Sequence, residues 1–278
     1  MPEELVTRPK VGIIFTCYNS VEYTINAVNS LKTTFPFHLI IIDDFSTDGT
    51  KQWIQNLGKS YNEAWIHNGE GLCEGLSTLI DVPTESLGEK WNLGVAEAAK
   101  NGCPIALICN NDILFHPATI DTLVNRWIKA KADNERIGIV SAHNRRGDTK
   151  PEEIFTLPIP DPVSEAESPD FSCFLMDVAI WQEIGKFDIN YIPCYFEDGD
   201  THANLAIHNY AAITTTAAPY YHFGSITQNS VPGGLCKSPQ FEKLREYFRR
   251  KWDCVPGEPV YDDLTHRRIK VEPRVVTL

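Results

Sequence analysis

Three short runs, Val11 to Thr16, His38 to Asp43 and Pro104 to Cys109, are apolar almost from end to end, and each breaks off into polar residues. They read as buried strands. Helical patterns separate them. Ser20 opens a helix in which Val21, Ile25, Val28 and Leu31 share one face, and the cap-rich loop Asp44-Phe45-Ser46-Thr47-Asp48-Gly49 leads into a helix through Trp53, Ile54 and Leu57. Ser77 to Val82 reads as a further strand and Gly88 to Ala99 as a helix, while residues 60–76 take no assignment. This alternation predicts an α/β fold, a mainly parallel central sheet flanked by helices in three layers.

The second half is less regular. A helix is expected over Pro117 to Ala132, strands over Ile137 to Ser141 and Phe171 to Met176, and a last strand-like run before His222. Residues 144–170, polar and rich in proline and acid, read as a long loop or lid. An amphipathic basic helix, Phe241 to Trp252, precedes an extended end.

Composition narrows the function classes. A chain of 278 residues with 42% hydrophobic residues can bury an ordinary core. Its formal net charge of −12 argues against broad capture of nucleic acid or anionic lipid. No stretch reaches the roughly 20 apolar residues of a membrane span, and Met1 to Lys10 lacks the apolar core of a signal peptide. A cytoplasmic protein is expected, with peripheral contact at a membrane surface left open by the basic helix. The eight cysteines form no C-x-x-C pair and several lie in apolar runs, so reduced, buried thiols are expected.

Four polar stations follow the strands. Asp43 and Asp44 close one strand; Asn110, Asn111 and Asp112 close another, where a carboxylate can hold a hard divalent cation. Glu197, Asp198 and Asp200 place three carboxylates within four residues, which repel one another unless something compensates. His222 stands between Pro219-Tyr220-Tyr221 and Gly224-Ser225. Singly, each is also met in turns, helix starts and satisfied structural histidines. In open α/β sheets, however, the carboxyl ends of the strands are where ligands bind.

In order and spacing these stations resemble family 2 of the glycosyltransferases, the inverting enzymes of GT-A fold, and especially the rhamnosyl- and galactofuranosyltransferase-like branch. The resemblance spans about Val11 to Trp252. It rests on Phe15-Thr16-Cys17-Tyr18-Asn19, on Ile42-Asp43-Asp44-Phe45-Ser46-Thr47-Asp48-Gly49-Thr50, on Gly88-Glu89-Lys90-Trp91-Asn92-Leu93-Gly94, and on Asn110-Asn111-Asp112 as a degenerate DxD motif. Gly185-Lys186-Phe187-Asp188, Phe196-Glu197-Asp198-Gly199-Asp200, His222-Phe223-Gly224-Ser225 and Tyr247-Phe248-Arg249-Arg250-Lys251-Trp252 continue the order.

The resemblance implies a catalytic domain over 1–240, with a nucleotide-sugar half at about 10–115, an acceptor half at 116–240, and a C-terminal helix and tail at 241–278. It places Thr16, Tyr18, Asn19, Asp43, Asp44, Asn92, Asn110 and Asn111 on the donor side, with Asp44 on the nucleobase. Asp112 and His222 would hold Mn2+ or Mg2+, imidazole favouring Mn2+. Asp198 would be the general base, with Glu197 and Asp200 in support. Asn110 departs from the full motif by replacing its first carboxylate. The implied reaction moves a sugar from a nucleoside-diphosphate donor, UDP or dTDP foremost, to an acceptor hydroxyl. A saccharide or lipid-linked saccharide heads the acceptors, with a protein side chain or modified nucleic-acid base still open.

Rival readings are weaker. A nucleotidyltransferase would carry a glycine- and lysine/arginine-rich phosphate loop after the first strand, and a nicotinamide dehydrogenase a G-x-G-x-x-G; neither is present. A catalytically silent nucleotide-sugar-binding scaffold of the same fold is the alternative from another class.

Overall fold

The computed structural model describes residues 8–64, 73–166, 171–224, 226, 238–254, 261–262 and 267–268. The chain runs β1 (Val11–Cys17), α1 (Val21–Asn29), β2 (Phe37–Asp43), α2 (Thr50–Ala64), β3 (Cys73–Leu79), α3 (Leu87–Lys100), β4 (Ile105–Asn110), β5 (Ile113–Phe115) and α4 (Thr119–Ala132). It continues with β6 (Ile137–Asn144), a 3-10 turn (Pro151–Thr156), β7 (Glu165–Ala166), β8 (Cys173–Asp177), α5 (Val178–Glu183), α6 (Glu197–Ile207), β9 (Ala211–His222) and α7 (Pro239–Trp252). A separate pair, β10 (Tyr261–Asp262) and β11 (Arg267–Arg268), closes the described chain.

Nine strands form one sheet in the order β3-β2-β1-β4-β8-β6-β9-β5, with β7 on β9. β1 to β4 are parallel. β8 then runs against both β4 and β6, β9 runs parallel to β6, and β5 and β7 oppose β9. The chain thus builds outward from β1 on one side and returns to its other side with β4, creating a switch point between them. In open α/β sheets such a point is where loops diverge and ligands bind.

Alternation along β1 explains the three layers. Val11, Ile13, Phe15 and Cys17 join a core with Ala27, Val28, Ile54, Ile120 and Leu123. Ile14 faces the other core, with Trp91, Val95, Ala98, Trp181 and Leu205. Gly12 lies under α3, where an added Cβ would stand 2.4 Å from Ala98 Cβ, so glycine sets how closely helix and sheet approach. A third cluster joins α7 to the chain around α6 through Tyr191, Ala203, Leu244, Tyr247, Phe248 and Trp252.

Two local expectations change. The third strand begins at Cys73 and ends at Leu79 rather than covering Ser77 to Val82. Asp81 turns into a left-handed conformation, and the Val82 amide bonds to Asp43 O instead. As a half-exposed edge strand, β3 lacks the apolar density that marked the others. The 144–170 segment, expected as loop or lid, is anchored as far as it is described: Ile154 is buried, β7 pairs with β9, and Arg126 bonds both Glu165 and Glu135. Residues 167–170 lie outside the described residues.

Cys17, Cys103, Cys109 and Cys173 are buried free thiols. Burial pushes Cys17 up to about 12 and Cys103 to about 11, which keeps both protonated. Cys236 lies outside the described residues. No helix among the described residues is long and apolar enough to cross a membrane.

Candidate active site

The switch point brings the first two stations together by register. Thr16 is paired with Asn110 of β4 on one side and Ile42 of β2 on the other, and Cys17 with Asp43. Asp43 is fully buried; its Oδ2 accepts the Ser46 amide at 3.2 Å, whereas Oδ1 has no hydrogen-bond partner. A buried carboxylate oxygen left unpaired is costly.

The loops after β1 and β2 are knitted to each other. Asn19 Oδ1 accepts the Thr47 amide at 2.8 Å and the Asp48 amide at 3.3 Å, and the Asn19 amide donates to Ser46 Oγ at 2.7 Å. Asp48 Oδ2 accepts the Val21 amide at 3.1 Å, satisfying the first turn of α1, whose Ser20 makes no side-chain cap. Partial burial works against the Asp48 charge, but hydrogen bonds from Thr50, Val21 and Ser20 outweigh it and hold the carboxyl below its ordinary value. Tyr18 and Phe45 are exposed beside this loop pair.

Asp44 is paired with Lys90 of α3, Nζ to Oδ2 at 2.9 Å, and Lys90 is itself buried. Lys90 carries no role that the motif around it reveals; its partner lies on a distant loop, which spacing does not show. Asn92, one residue past Trp91, has its amide committed within the protein. Its Oδ1 accepts Trp181 Nε1 at 2.9 Å and the Phe187 amide at 3.0 Å, and its Nδ2 donates to Phe187 O at 2.9 Å. Asn111 likewise donates to Asn19 O at 3.1 Å and Thr24 Oγ1 at 2.9 Å, clamping the β4–β5 connection onto the start of α1.

Asp112 and His222 meet. β5 pairs with the end of β9, setting Ile113 opposite His222, and the Phe223 amide bonds Asp112 O at 2.9 Å. His222 Nε2 lies 3.0 Å from Asp112 Oδ1 and 3.4 Å from Asn110 Nδ2. One imidazole nitrogen cannot donate to the carboxylate and accept from the amide at once. Asn144 Oδ1 fixes the strand here by accepting the His222 and Arg146 amides at 3.3 and 3.0 Å.

The acidic cluster opens α6. Tyr195 and Phe196 before it are both left-handed, and Phe196 supplies no side-chain cap. Asp198 is exposed and its Oδ1 accepts the Gly199 amide at 2.7 Å. Glu197 Oε2 is buried without a partner, and burial, reinforced by the neighbouring Asp198 charge, pushes the Glu197 carboxyl up to about 8. Asp200 is buried and fully engaged: Tyr191 Oη and Trp252 Nε1 donate to Oδ1 at 2.8 and 2.7 Å, and Lys251 Nζ lies 2.8 Å from Oδ1 and 2.9 Å from Oδ2. Lys251 also reaches Asp188 at 2.6 Å. Burial disfavours the Lys251 charge, but Asp200 and Asp188 outweigh it and hold the ammonium above its ordinary value.

Contacts at the start of α3 join this cluster to the first stations. The Leu87 amide donates to Pro193 O at 2.9 Å, and a Cβ on Gly88 would meet Asp188 O at 2.6 Å. Lys90, one turn on, reaches Asp44.

Residues 12–175 match the family described as Glycosyl transferase family 2. Among solved structures, the mannosyltransferase PcManGT from Pyrobaculum calidifontis, in complex with GDP-Man and Mn2+, is 17% identical with a TM-score of 0.55, over 77% of this chain and 57% of that one. GalNAc-T7 with UDP, GalNAc and Mn2+ is 12% identical with a TM-score of 0.60, over 89% and 51%. TarS 1-349 of S. aureus is 16% identical with a TM-score of 0.52, over 88% and 72%. The chain therefore spans about half the length of the first two structures. A search of curated proteins finds no match.

Proposed function

Because the chain belongs to glycosyltransferase family 2, we propose that it transfers a sugar from a nucleotide-sugar donor to an acceptor hydroxyl with inversion at the anomeric carbon. The observation that carries this is the meeting of Asp112 and His222 beside the switch point, where Thr16, Asn110 and Asp43 lie at the carboxyl ends of their strands.

The donor set suits a divalent cation. One carboxylate and one imidazole nitrogen lie 3.0 Å apart, and the competing contacts on His222 Nε2 are resolved if its lone pair faces a cation. Among the described residues no third His, Cys, Asp or Glu joins them. Asp112 and His222 would hold Mn2+ or Mg2+, with Asn110 adjacent. Such an ion supplies charge neutralisation for a departing diphosphate.

The remaining roles belong to the chain. Asp44, steadied by Lys90, would accept from the nucleobase, with Asp43 behind it as a buried support. Thr16 sits at the switch point beside them, and Tyr18 flanks it. Asn19 and Asn111 shape the donor side by holding its loops, and Asn92 ties α3 to Phe187 and Trp181 of the acceptor half. Asp198 takes the acceptor proton as the hydroxyl attacks, and displacement from the face opposite the leaving group inverts the centre. Glu197, neutral at pH 7 by its raised pKa, spares Asp198 a second adjacent charge. UDP and dTDP sugars are the first donors to test. The rhamnosyl- and galactofuranosyltransferase-like branch, a saccharide or lipid-linked acceptor and a cytoplasmic site complete the proposal, supported by motif order and composition.

The test is nucleotide release from UDP-, dTDP- and GDP-sugars with Mn2+ or Mg2+, for wild type, Asp112→Ala and Asp198→Asn. One donor should be cleaved only with metal; Asp112→Ala should abolish this, and Asp198→Asn should keep donor binding while losing about two orders of magnitude in rate. A wild type that neither binds nor cleaves any donor sinks the proposal. Binding that never leads to transfer favours a silent scaffold.

A further inference from the structure

The C-terminal helix lies outside the matched residues 12–175, yet its side chains converge on one short stretch, Asp188 to Asp200. We propose that α7 is the positioning element for the general base, with Lys251 fixing the first turn of α6 and, through it, Asp198. The inference rests on the reading of Asp198 as that base.

The first turn of α6 cannot hold its place by local preference. Two consecutive non-glycine residues, Tyr195 and Phe196, take φ values of 94° and 74°, and such conformations persist only where the surroundings over-determine them. Phe196 gives the helix no cap. Three carboxylates, Asp188, Asp198 and Asp200, crowd the same neighbourhood beside Glu197, which by charge alone would drive the turn apart.

Beside Tyr191 Oη on Asp200 and the Leu87 amide on Pro193 O, several side chains of α7 answer these strains. Gln240 Nε2 donates to Ile192 O at 2.8 Å. The Phe241 ring packs on Tyr195 and Phe196, at centroid distances of 5.2 and 4.9 Å. Phe248 closes over Gly199, where a Cβ would come within 3.3 Å of its ring. Lys251 bridges Asp188 and Asp200, Tyr247 Oη donates to Asp188 at 2.8 Å, and Trp252 Nε1 donates to Asp200.

Asp200 is thereby locked inward. Asp198, two residues earlier, lies about 200° around the helix axis from it and is exposed. A rigid inward carboxylate therefore fixes the azimuth of the outward one. Lys251 touches no reacting atom; it acts through Asp200, and so is a positioning residue.

The experiment compares Lys251→Met, which keeps the stem and deletes the charge, with Lys251→Arg and wild type. Amide exchange at 197–201 in Lys251→Met should quicken about tenfold or more while β1 and β2 stay unchanged. With the donor found by the release assay, kcat should fall at least about tenfold, KM for donor should stay within about twofold, and Lys251→Arg should recover part of the rate. Wild-type kcat in Lys251→Met, or a loss confined to donor KM, overturns the proposal. If wild type turns over no donor, the base reading itself fails, and the exchange measurement still decides: unaltered protection at 197–201 shows that Lys251 does not hold the turn. Should Lys251→Met not fold, Lys251→Gln keeps a hydrogen-bond donor and most of the stem without the charge, and the same comparison applies.

Discussion

One carboxylate oxygen of Glu197 is buried without a partner, and Asp198 is the next residue. Its pKa near 8 in the folded chain lies above the ordinary 4.5. Between those values the unfolded state has lost the proton that the folded state keeps, so stability should fall as pH rises through the window and level off above it. Each pH unit within the window removes about 1.4 kcal/mol at most. Glu197→Gln cannot ionise, so its urea midpoint should vary less than wild type's between pH 5 and 8; parallel profiles would place the unpaired oxygen in contact with water. The residues most legible in the sequence were those that end apolar runs, Asp43, Asp112 and the pair-forming His222, because strand ends in a parallel sheet face a ligand edge. Lys90, Asp48 and Asn144 were not legible as site-shaping residues. Their partners, Asp44, Val21 and the His222 amide, come from other loops, and no spacing rule encodes such pairings.

At the scale of elements, the buried strands β1, β2 and β4 announced themselves because both faces are covered, which demands uninterrupted apolar residues. β3 was misregistered because an edge strand needs only one such face. The 144–170 segment concealed its anchors for a related reason: one buried isoleucine and a two-residue strand leave no periodicity to read. The fit of α3 onto the sheet yields two predictions. Gly12→Ala places a methyl 2.4 Å from Ala98 Cβ and 3.3 Å from its Cα, so the helix must shift, at a cost of about 1–3 kcal/mol. Asn92→Ala strands the Trp181 indole N–H and the Phe187 amide, for a loss of about 2–3 kcal/mol. Both should lower the urea midpoint with little change in slope. Asn92→Ala should additionally quicken amide exchange at Phe187, which Gly12→Ala should not.

Across the whole molecule, the donor and acceptor halves expected from sequence order share one sheet. β4 belongs to the first half by sequence and pairs along its length with β8 of the second, while β5 leaves the first half to pair with β9 at the far edge. Each half loses the β4–β8 and β5–β9 pairings if the other unfolds, so heat should melt them in a single transition. The proposed cation site straddles the same seam, since Asp112 precedes β5 and His222 ends β9. A ligand bound there should stabilise the entire sheet. At a hundred times its Kd, a nucleoside diphosphate with Mn2+ adds about 2.7 kcal/mol, which for a domain of this size raises Tm by about 5–10 °C. Calorimetry should show one peak that moves as a whole. Asp112→Ala should keep any shift given by the nucleotide alone and lose the part that needs Mn2+. Two peaks, only one of them moved by ligand, would mean that the halves fold separately despite their common strands; an unchanged Mn2+ increment in Asp112→Ala would remove the cation from this seam.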